Sequence, residues 1–271
     1  MIPKSNLHTH TTFCDGKLSP DLMTKAAIEK GMASLGFSGH AHMPRGGDRW
    51  CMSVEDTEAY RAAIGSLKEI YADQIEIALG VEQDYLSDMP TDCYEYVIGA
   101  VHCIDKGEIL PVDSSAELFD KGVNGIYLGD VYAFIRDYYE MMSNVVAKTN
   151  ADIIAHFDLV KKFNEGGVRF DESCAVYRDL SLSALEAVAK NDVIFEINTG
   201  GAYRGANSEF YPSPTLLKRL KELGGRITFS SDSHDARSLC YKFDEAKAIA
   251  KKCGFKTAWI WRGGGFKEYK I

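Results

Sequence analysis

The sequence lacks the features of exported and membrane-spanning chains. Its first ten residues, MIPKSNLHTH, contain no apolar core of the signal-peptide kind, and no run of about 18 apolar residues occurs anywhere. The seven cysteines are irregularly spaced and form no C-x-x-C pair, which favours reduced thiols over a disulfide framework. We therefore expect a cytoplasmic protein with no membrane partner.

Clusters of basic residues are also missing. The chain has 31 Lys and Arg against 39 Asp and Glu, a formal net charge of −8. Because duplex binding depends on many Lys and Arg contacts to phosphates, we expect no nucleic-acid partner. A small phosphorylated substrate is still compatible with this charge, since bound metal ions would make a pocket far more positive than the chain average. The sequence does not indicate the oligomeric state.

Short apolar segments alternate with helical segments along the whole chain, and no linker interrupts them. Ser19-Pro20 and Ser213-Pro214 each place an N-cap before a proline at the first helical position, and Ser53 precedes a helix over Val54–Ala72. Asp235 is predicted to cap a helix that ends near Cys253-Gly254. We predict strands at Asn6–His10, Ser34–Ser38, Ile75–Val81, Tyr96–Ile104, Asp152–His156, Val193–Asn198, Arg226–Ser230 and Thr257–Trp261.

This alternation predicts one domain over residues 1–271, with parallel strands joined by helices in an open sheet or a closed barrel. All seven histidines lie in or directly after predicted strands: His8, His10, His40, His42, His102, His156 and His234. In α/β barrels the reactive side chains gather where strands end, at the carboxyl face. The polar residues therefore favour the barrel.

The spacing of these polar residues is typical of metal ligands. His8 and His10 are two positions apart, so on a strand both imidazoles project from one face. Asp232 and His234 repeat this spacing in SSDSH, and two further carboxylates follow the same pattern of strand ends: Glu82 and Asp15. Buried together without a cation, these groups would leave desolvated charges unpaired. Mixed imidazole and carboxylate ligands suit Zn, Fe or Mn, and the residues do not choose among the three.

Seven motifs in a fixed order resemble the polymerase and histidinol phosphatase (PHP) family, and most closely its monofunctional histidinol-phosphate phosphatases. They are LHTHTTFCDG, GFSGHAHMP, GVEQDY, YVIGAVH, IIAHFD, EINTGG and SSDSH. The resemblance implies a distorted (β/α)7 barrel with a trinuclear metal centre at the carboxyl ends of its strands, which would hold two or three divalent ions.

The resemblance also implies the ligands of each ion. One ion would be held by His8, His10, Glu82 and Asp232. A second would be held by Glu82, as a bridging ligand, with His102 and His156. A third would be held by Asp15, His40 and His234. The family varies between Asp and His at the position of Asp15, and it often carries Pro where this chain has His42. His42 is therefore a candidate contact to the substrate or to a metal ligand, and otherwise a loop residue near the barrel mouth.

The implied activity is that of a phosphoric monoester hydrolase, which converts L-histidinol phosphate to L-histidinol and phosphate in histidine biosynthesis. Asp232 and His234 are the candidates for proton transfer, beside the bridging Glu82. Arg204 follows a predicted strand in a Gly-rich loop and is the candidate phosphate clamp, because guanidinium offers two parallel N–H groups. The weaker clamp candidates are Arg45, Arg49, Lys161 and Lys162.

Two other functions remain open from the sequence. The first is a PHP phosphoesterase that acts on nucleotides, nucleic-acid ends or other small phosphate esters, and a nucleic-acid substrate would favour a basic, aromatic-lined groove. The second is a metal-binding accessory protein without catalysis. Such a protein would be expected to have lost ligands, whereas every metal motif is intact here.

Overall fold

The computed structural model describes residues 2–47 and 49–271. Its strands are β1 (Ser5–Asn6), β2 (Ser34–Phe37), β3 (Glu76–Asp84), β4 (Tyr96–Ala100), β5 (Cys103–Asp105), β6 (Ile109–Pro111), β7 (Ile153–Ile154), β8 (Ile194–Asn198), β9 (Arg226–Ser230), β10 (Thr257–Trp261) and β11 (Phe266–Lys270). Its α-helices are α1 (Pro20–Glu29), α2 (Val54–Ile70), α3 (Ala116–Gly125), α4 (Val131–Ser143), α5 (Val145–Thr149), α6 (Ala175–Val188), α7 (Gly200–Arg204), α8 (Pro214–Glu222) and α9 (Phe243–Lys252). Short 3₁₀ helices cover Leu159–Lys161 and Glu165–Gly167.

Seven of these strands form one parallel sheet in the order β1-β2-β3-β4-β7-β8-β9. Beyond β1 and β9 the two ends of the sheet meet. There the His10 N–H donates to the Ser233 carbonyl at 2.8 Å and the Ser233 N–H donates to the His8 carbonyl at 3.0 Å. These bonds bring the sheet to a nearly closed barrel, so the predicted distorted (β/α)7 barrel is confirmed.

The predicted helix starts follow local capping chemistry. The side chains of Ser19, Ser53 and Ser213 each accept the N–H of the residue three positions later. The predicted cap at Asp235 is wrong, because α9 begins only after Lys242. The Asp235 carboxylate instead accepts the N–H groups of Arg237 and Ser238 in a turn, the local alternative to a helix that short acidic side chains favour.

Two strand predictions are corrected. The segment Tyr96–Ile104 is not one strand: β4 ends at Ala100, and β5 pairs with β6 in a separate antiparallel hairpin. The strand Thr257–Trp261 is present, but it pairs antiparallel with β11 outside the barrel. The three glycines after Arg262 form the turn of this second hairpin.

The β10–β11 hairpin covers the amino ends of the barrel strands. The Gly263 and Gly264 N–H groups donate to the Glu76 carboxylate at the start of β3, and Trp261 packs against Tyr96 with 5.8 Å between ring centroids. The Tyr96 ring lies in the barrel interior, directly against Gly80. A Cβ atom at residue 80 would lie 2.2 Å from the ring, so the packing requires glycine there. This packing closes the barrel opposite its carboxyl face. No helix among the described residues is long and apolar enough to cross a membrane.

Tyr96→Phe tests this closure. The Tyr96 hydroxyl lies 2.6 Å from the Leu7 carbonyl and 3.0 Å from the Phe37 carbonyl, so its loss leaves buried acceptors without their donor. We expect the free energy of unfolding, measured by urea titration, to fall by about 1–3 kcal/mol. Tyr269→Phe, on the partly exposed β11, should change it by less than about 0.5 kcal/mol. Equal values for the two variants would contradict a stabilising role of the Tyr96 hydroxyl.

Candidate metal centre

Polar side chains from many strands meet at the carboxyl face of the barrel. His8 and His10 follow β1, and Glu82 lies near the end of β3. The other predicted ligands come from the segments after β1, β2, β4, β7 and β9: Asp15, His40, His102, His156, Asp232 and His234. Because parallel strands end at the same rim, this placement brings together residues that are up to 226 positions apart, as His8 and His234 are.

The Glu82 carboxylate lies at the centre of the cluster and is almost completely buried. Its two oxygens face different imidazoles. Around Oε2 lie His40 Nδ1 at 2.9 Å, His8 Nε2 at 3.0 Å and His10 Nε2 at 3.4 Å. Around Oε1 lie His156 Nε2 at 3.1 Å and His102 Nε2 at 3.4 Å. Glu82 therefore has the placement expected of a bridging ligand.

A second group lies nearer the solvent. Asp15 Oδ2 is 3.2 Å from His234 Nε2, and Asp15 Oδ1 is 3.7 Å from both His10 Nδ1 and His40 Nε2. Asp232 Oδ1 lies between the groups, 3.2 Å from His10 Nε2. His10 and His40 thus contact both groups, whereas the family resemblance gave each of them a single ion. The structure brings all nine predicted metal ligands together.

Unpaired buried atoms provide the test of metal fit. Among the described residues, His8 Nε2, His10 Nε2, His40 Nδ1 and Glu82 Oε2 are buried and make no hydrogen bond. Buried polar atoms without partners are rare in folded proteins and cost free energy. Two atoms that bind one Zn²⁺ at about 2.0–2.2 Å in tetrahedral geometry lie roughly 3.3–3.6 Å apart, near the upper end of the separations around Glu82 Oε2. The cluster therefore has the chemistry of a divalent-metal site.

The cluster shifts the pKa values of its own members in opposite directions. Burial raises the pKa of Glu82, but the nearby His8 and His40 outweigh it and hold that pKa well below its usual value. Burial lowers the pKa of His102, yet Glu82 and Asp84 raise it to about 9. The pKa of His10 falls to about 3 through burial and the charges of His234 and His40. Crowded imidazoles around buried carboxylates produce such divergence.

Two supporting carboxylates were missed by the sequence analysis. Glu196, on β8, accepts a hydrogen bond from His8 Nδ1 at 2.9 Å. Asp84, at the end of β3, lies 3.1 Å from His102 Nδ1. Both occur in motifs quoted for the family resemblance, and for Glu196 the available signal was an acidic residue inside the mostly apolar strand β8.

A cavity of about 650 Å³ opens above the cluster. Its floor includes six of the predicted ligands: Asp15, His40, His102, His156, Asp232 and His234. Its walls carry apolar side chains, among them Trp50, Ile109, Pro111 and Leu118. The cavity therefore offers a charged floor and an apolar wall to one small ligand.

Arg204 lies at the edge of this floor. Its guanidinium donates to Asp232 Oδ2 at 2.7 Å and to the Asp232 carbonyl at 3.1 Å, and the side chain also lines the cavity. Of the weaker clamp candidates, Lys162 and Arg49 line the cavity. The other two are engaged elsewhere, Arg45 with Asp105 at 2.7 Å and Lys161 with Glu209 at 2.6 Å.

His42 is not among the described residues that line the cavity. Its Nδ1 lies 3.2 Å from the Met52 carbonyl, and its own carbonyl accepts the Ser87 hydroxyl. The structure therefore places His42 in the loop beside the cluster, and its role as a substrate contact remains a prediction.

Comparisons with known proteins agree with this geometry. Residues 6–200 match the family model described as PHP domain. A Deinococcus radiodurans protein named "Probable histidinol-phosphatase" is 29% identical over 92% of this chain and 94% of its own. The Bacillus subtilis histidinol-phosphatase is 25% identical over 93% of this chain and 100% of its own.

A solved structure extends the likeness to the fold. The Lactococcus lactis histidinol phosphate phosphatase was solved with Zn, L-histidinol and phosphate, and it superimposes with a TM-score of 0.70 at 25% identity. The alignment covers 98% of this chain and 100% of that one.

Glu82→Gln tests the bridging position. The amide keeps the shape of the side chain but removes the charge that two adjacent cations require. We expect the affinity for Zn²⁺, measured by competition with a chromophoric chelator, to fall by more than about 10-fold. Glu222→Gln, on the exposed face of α8, is the control and should bind metal like the unmodified protein. Unchanged affinity in Glu82→Gln would exclude a bridging role.

Proposed function

Because the chain belongs to the PHP domain family, we propose that it is a metal-dependent phosphatase that hydrolyses L-histidinol phosphate to L-histidinol and phosphate. We place this activity in histidine biosynthesis and in the cytoplasm. The observation that carries the proposal is the buried Glu82 carboxylate, which contacts five imidazoles beneath a cavity of small-molecule size. The relatives and the Lactococcus lactis structure support the choice of substrate.

The proposed metal centre holds two or three divalent ions, with Zn favoured by the Lactococcus lactis structure and Fe or Mn also compatible. Each oxygen of the Glu82 carboxylate would face the ligands of a different ion. We propose that His8, His10 and Asp232 lie on the Oε2 side and that His102 and His156 lie on the Oε1 side. The third, more exposed position would use Asp15, His40 and His234.

When bound, such ions supply Lewis-acid activation of water and neutralise the phosphoryl charge. The remaining tasks fall to side chains. Burial raises the pKa of Asp232, but Arg204 and His8 hold it well below its usual value, so this carboxylate is ionised, as a metal ligand must be. The imidazole of His234 faces the cavity and is the candidate donor of a proton to the leaving alkoxide.

His234 cannot serve as ligand and as proton donor through the same nitrogen. Its Nδ1 lies 2.9 Å from the Asp232 carbonyl, so only Nε2 faces Asp15 and the cavity. A metal ligand must present an unprotonated nitrogen, whereas a proton donor must carry the proton. Occupancy of the third metal position therefore decides which of the two tasks His234 performs.

Arg204 is proposed as the phosphate clamp. It is fixed to Asp232 through both a side-chain and a backbone contact, and its side chain lines the cavity. A guanidinium held in one orientation binds two phosphoryl oxygens without further loss of side-chain freedom. Phosphate would thus lie between Arg204 and the metal cluster, with the alcohol part of the substrate toward the apolar wall.

Phosphate release from a panel of esters tests the activity. We expect turnover of L-histidinol phosphate to exceed that of nucleotides and sugar phosphates by at least about 100-fold in kcat/KM, a ratio that binding contacts to the alcohol part can supply. Chelation followed by dialysis should abolish the activity, and Zn, Mn or Fe should restore it. Preference for a nucleotide would support the broader phosphoesterase function instead. Full activity in a metal-free preparation would contradict the proposal.

Arg204→Ala tests the clamp. We expect kcat/KM to fall by roughly 2–4 kcal/mol in transition-state stabilisation, because a charged partner of the phosphate is lost. Arg204→Lys should recover part of the activity, since an ammonium lacks the two-pronged geometry. Inhibition by inorganic phosphate separates clamping from support of Asp232. If phosphate inhibits the Ala variant as strongly as the unmodified protein, Arg204 does not bind phosphate.

A further inference from the structure

Glu196 differs from the other buried carboxylates of the cluster in its hydrogen bonds. Its Oε2 accepts from His8 Nδ1 at 2.9 Å and from the Ser230 hydroxyl at 2.6 Å. Its Oε1 accepts from the His156 N–H at 2.7 Å and from the Asn198 side-chain amide at 2.6 Å. Two donors on each oxygen leave no free lone pair for a cation. Glu196 is therefore not built as a ligand, in contrast to Glu82, whose Oε2 makes no hydrogen bond.

The contact with His8 fixes which ring nitrogen is available to a metal. An acceptor at Nδ1 requires the proton there, so Nε2 keeps its lone pair. That lone pair belongs to an atom without a hydrogen bond, 3.0 Å from Glu82 Oε2. Carboxylates in this position orient ligating imidazoles and make them more basic ligands.

Asp84 has the same relation to His102 on the other side of Glu82. Its Oδ2 accepts from the His102 N–H at 2.8 Å and lies 3.1 Å from His102 Nδ1, while its Oδ1 accepts the Leu86 N–H at 2.7 Å. Asp84 therefore holds His102 through both its backbone N–H and its ring Nδ1. Its Nε2 then lies 3.4 Å from Glu82 Oε1.

We propose that Glu196 and Asp84 are positioning residues for two different metal positions: Glu196 for the ion on the His8 side of Glu82, and Asp84 for the ion on the His102 side. This inference rests on the proposed metal centre, and it assigns roles to two residues outside the ligand set. The link from Glu196 to the His156 backbone adds a smaller contribution to the second position. Loss of one carboxylate should weaken the binding of one ion far more than the binding of the other.

The experiment compares Glu196→Gln and Asp84→Asn by Zn²⁺ titration of the metal-free protein against a chromophoric chelator. A Gln side chain offers one oxygen to the four donors around Glu196, and an Asn loses the charge opposite His102. We expect each variant to lose about 10–100-fold in affinity at one class of site and to keep the other class nearly unchanged. Glu95→Gln is the matched control, because Glu95 also accepts a backbone N–H but lies on the outside of the barrel.

Ligand-deleted backgrounds identify which class is affected. In His102→Ala, the effect of Glu196→Gln should persist and the effect of Asp84→Asn should disappear. In His8→Ala, the pattern should reverse. A carboxylate that acted only through overall stability would weaken both classes in both backgrounds, and that result would overturn the inference, as would unchanged affinity in both variants.

A second variant and a phosphate-release measurement complete the test. If Glu196→Gln does not fold, Glu196→Asp keeps the charge but withdraws it from His8 by one methylene, and it should still weaken the His8-side class; full affinity there would overturn the assignment. Phosphate release distinguishes a failure of the proposed function from a failure of the positioning roles. A protein that shows the predicted split in Zn²⁺ affinity but releases no phosphate from L-histidinol phosphate would contradict the function and leave the positioning roles intact.

Discussion

The structure depends on one electrostatic constraint, which is the burial of the Glu82 carboxylate among imidazoles. Glu82 and all five histidines around it are buried, and several of their polar atoms make no hydrogen bond within the described part of the chain. A buried carboxylate surrounded by imidazoles cannot leave all of them neutral or all of them charged without a large cost. Divalent cations resolve this, because each accepts lone pairs from both kinds of side chain.

The barrel serves this constraint by bringing distant strand ends to one rim. Closure beyond β1 and β9 places the His8–His10 segment directly beside the Asp232–His234 segment. The hairpin β10–β11 and the Tyr96 ring close the opposite end, so the interior is packed and the polar cluster is confined to one face. The net negative charge of the chain is locally offset there by Arg204, Lys162 and the ions that the cluster is built to bind.

Local signals account for what the sequence predicted well. Serine caps, prolines at first helical positions and apolar runs act over a few residues, so α1, α2, α8 and the seven barrel strands were predictable with small errors at their ends. The ligand positions were predictable because histidines and carboxylates that follow so many parallel strands are brought to the same rim of a barrel. The metal ligand roles remain predictions, since the geometry groups His10 and His40 with more than one position.

What the sequence missed depends on contacts between distant segments. Glu196 and Asp84 support histidines that lie 188 and 18 positions away, and an acidic residue in a strand does not indicate which histidine it contacts. The β5–β6 and β10–β11 hairpins were missed because a short apolar run gives no indication of which sheet it joins. His42 resembled its neighbour His40 in sequence, but the loop turns its ring toward Met52.

Anomalous X-ray diffraction at the Zn, Mn and Fe edges would show whether metal ions lie on both sides of Glu82, on crystals of a preparation that turns over L-histidinol phosphate. We expect peaks on both sides of the Glu82 carboxylate, each at about 2.0–2.2 Å from imidazole nitrogens and carboxylate oxygens of the cluster. A third, weaker peak is expected near Asp15. Crystals of equally active protein with no anomalous peak beside Glu82 would contradict the proposed metal centre.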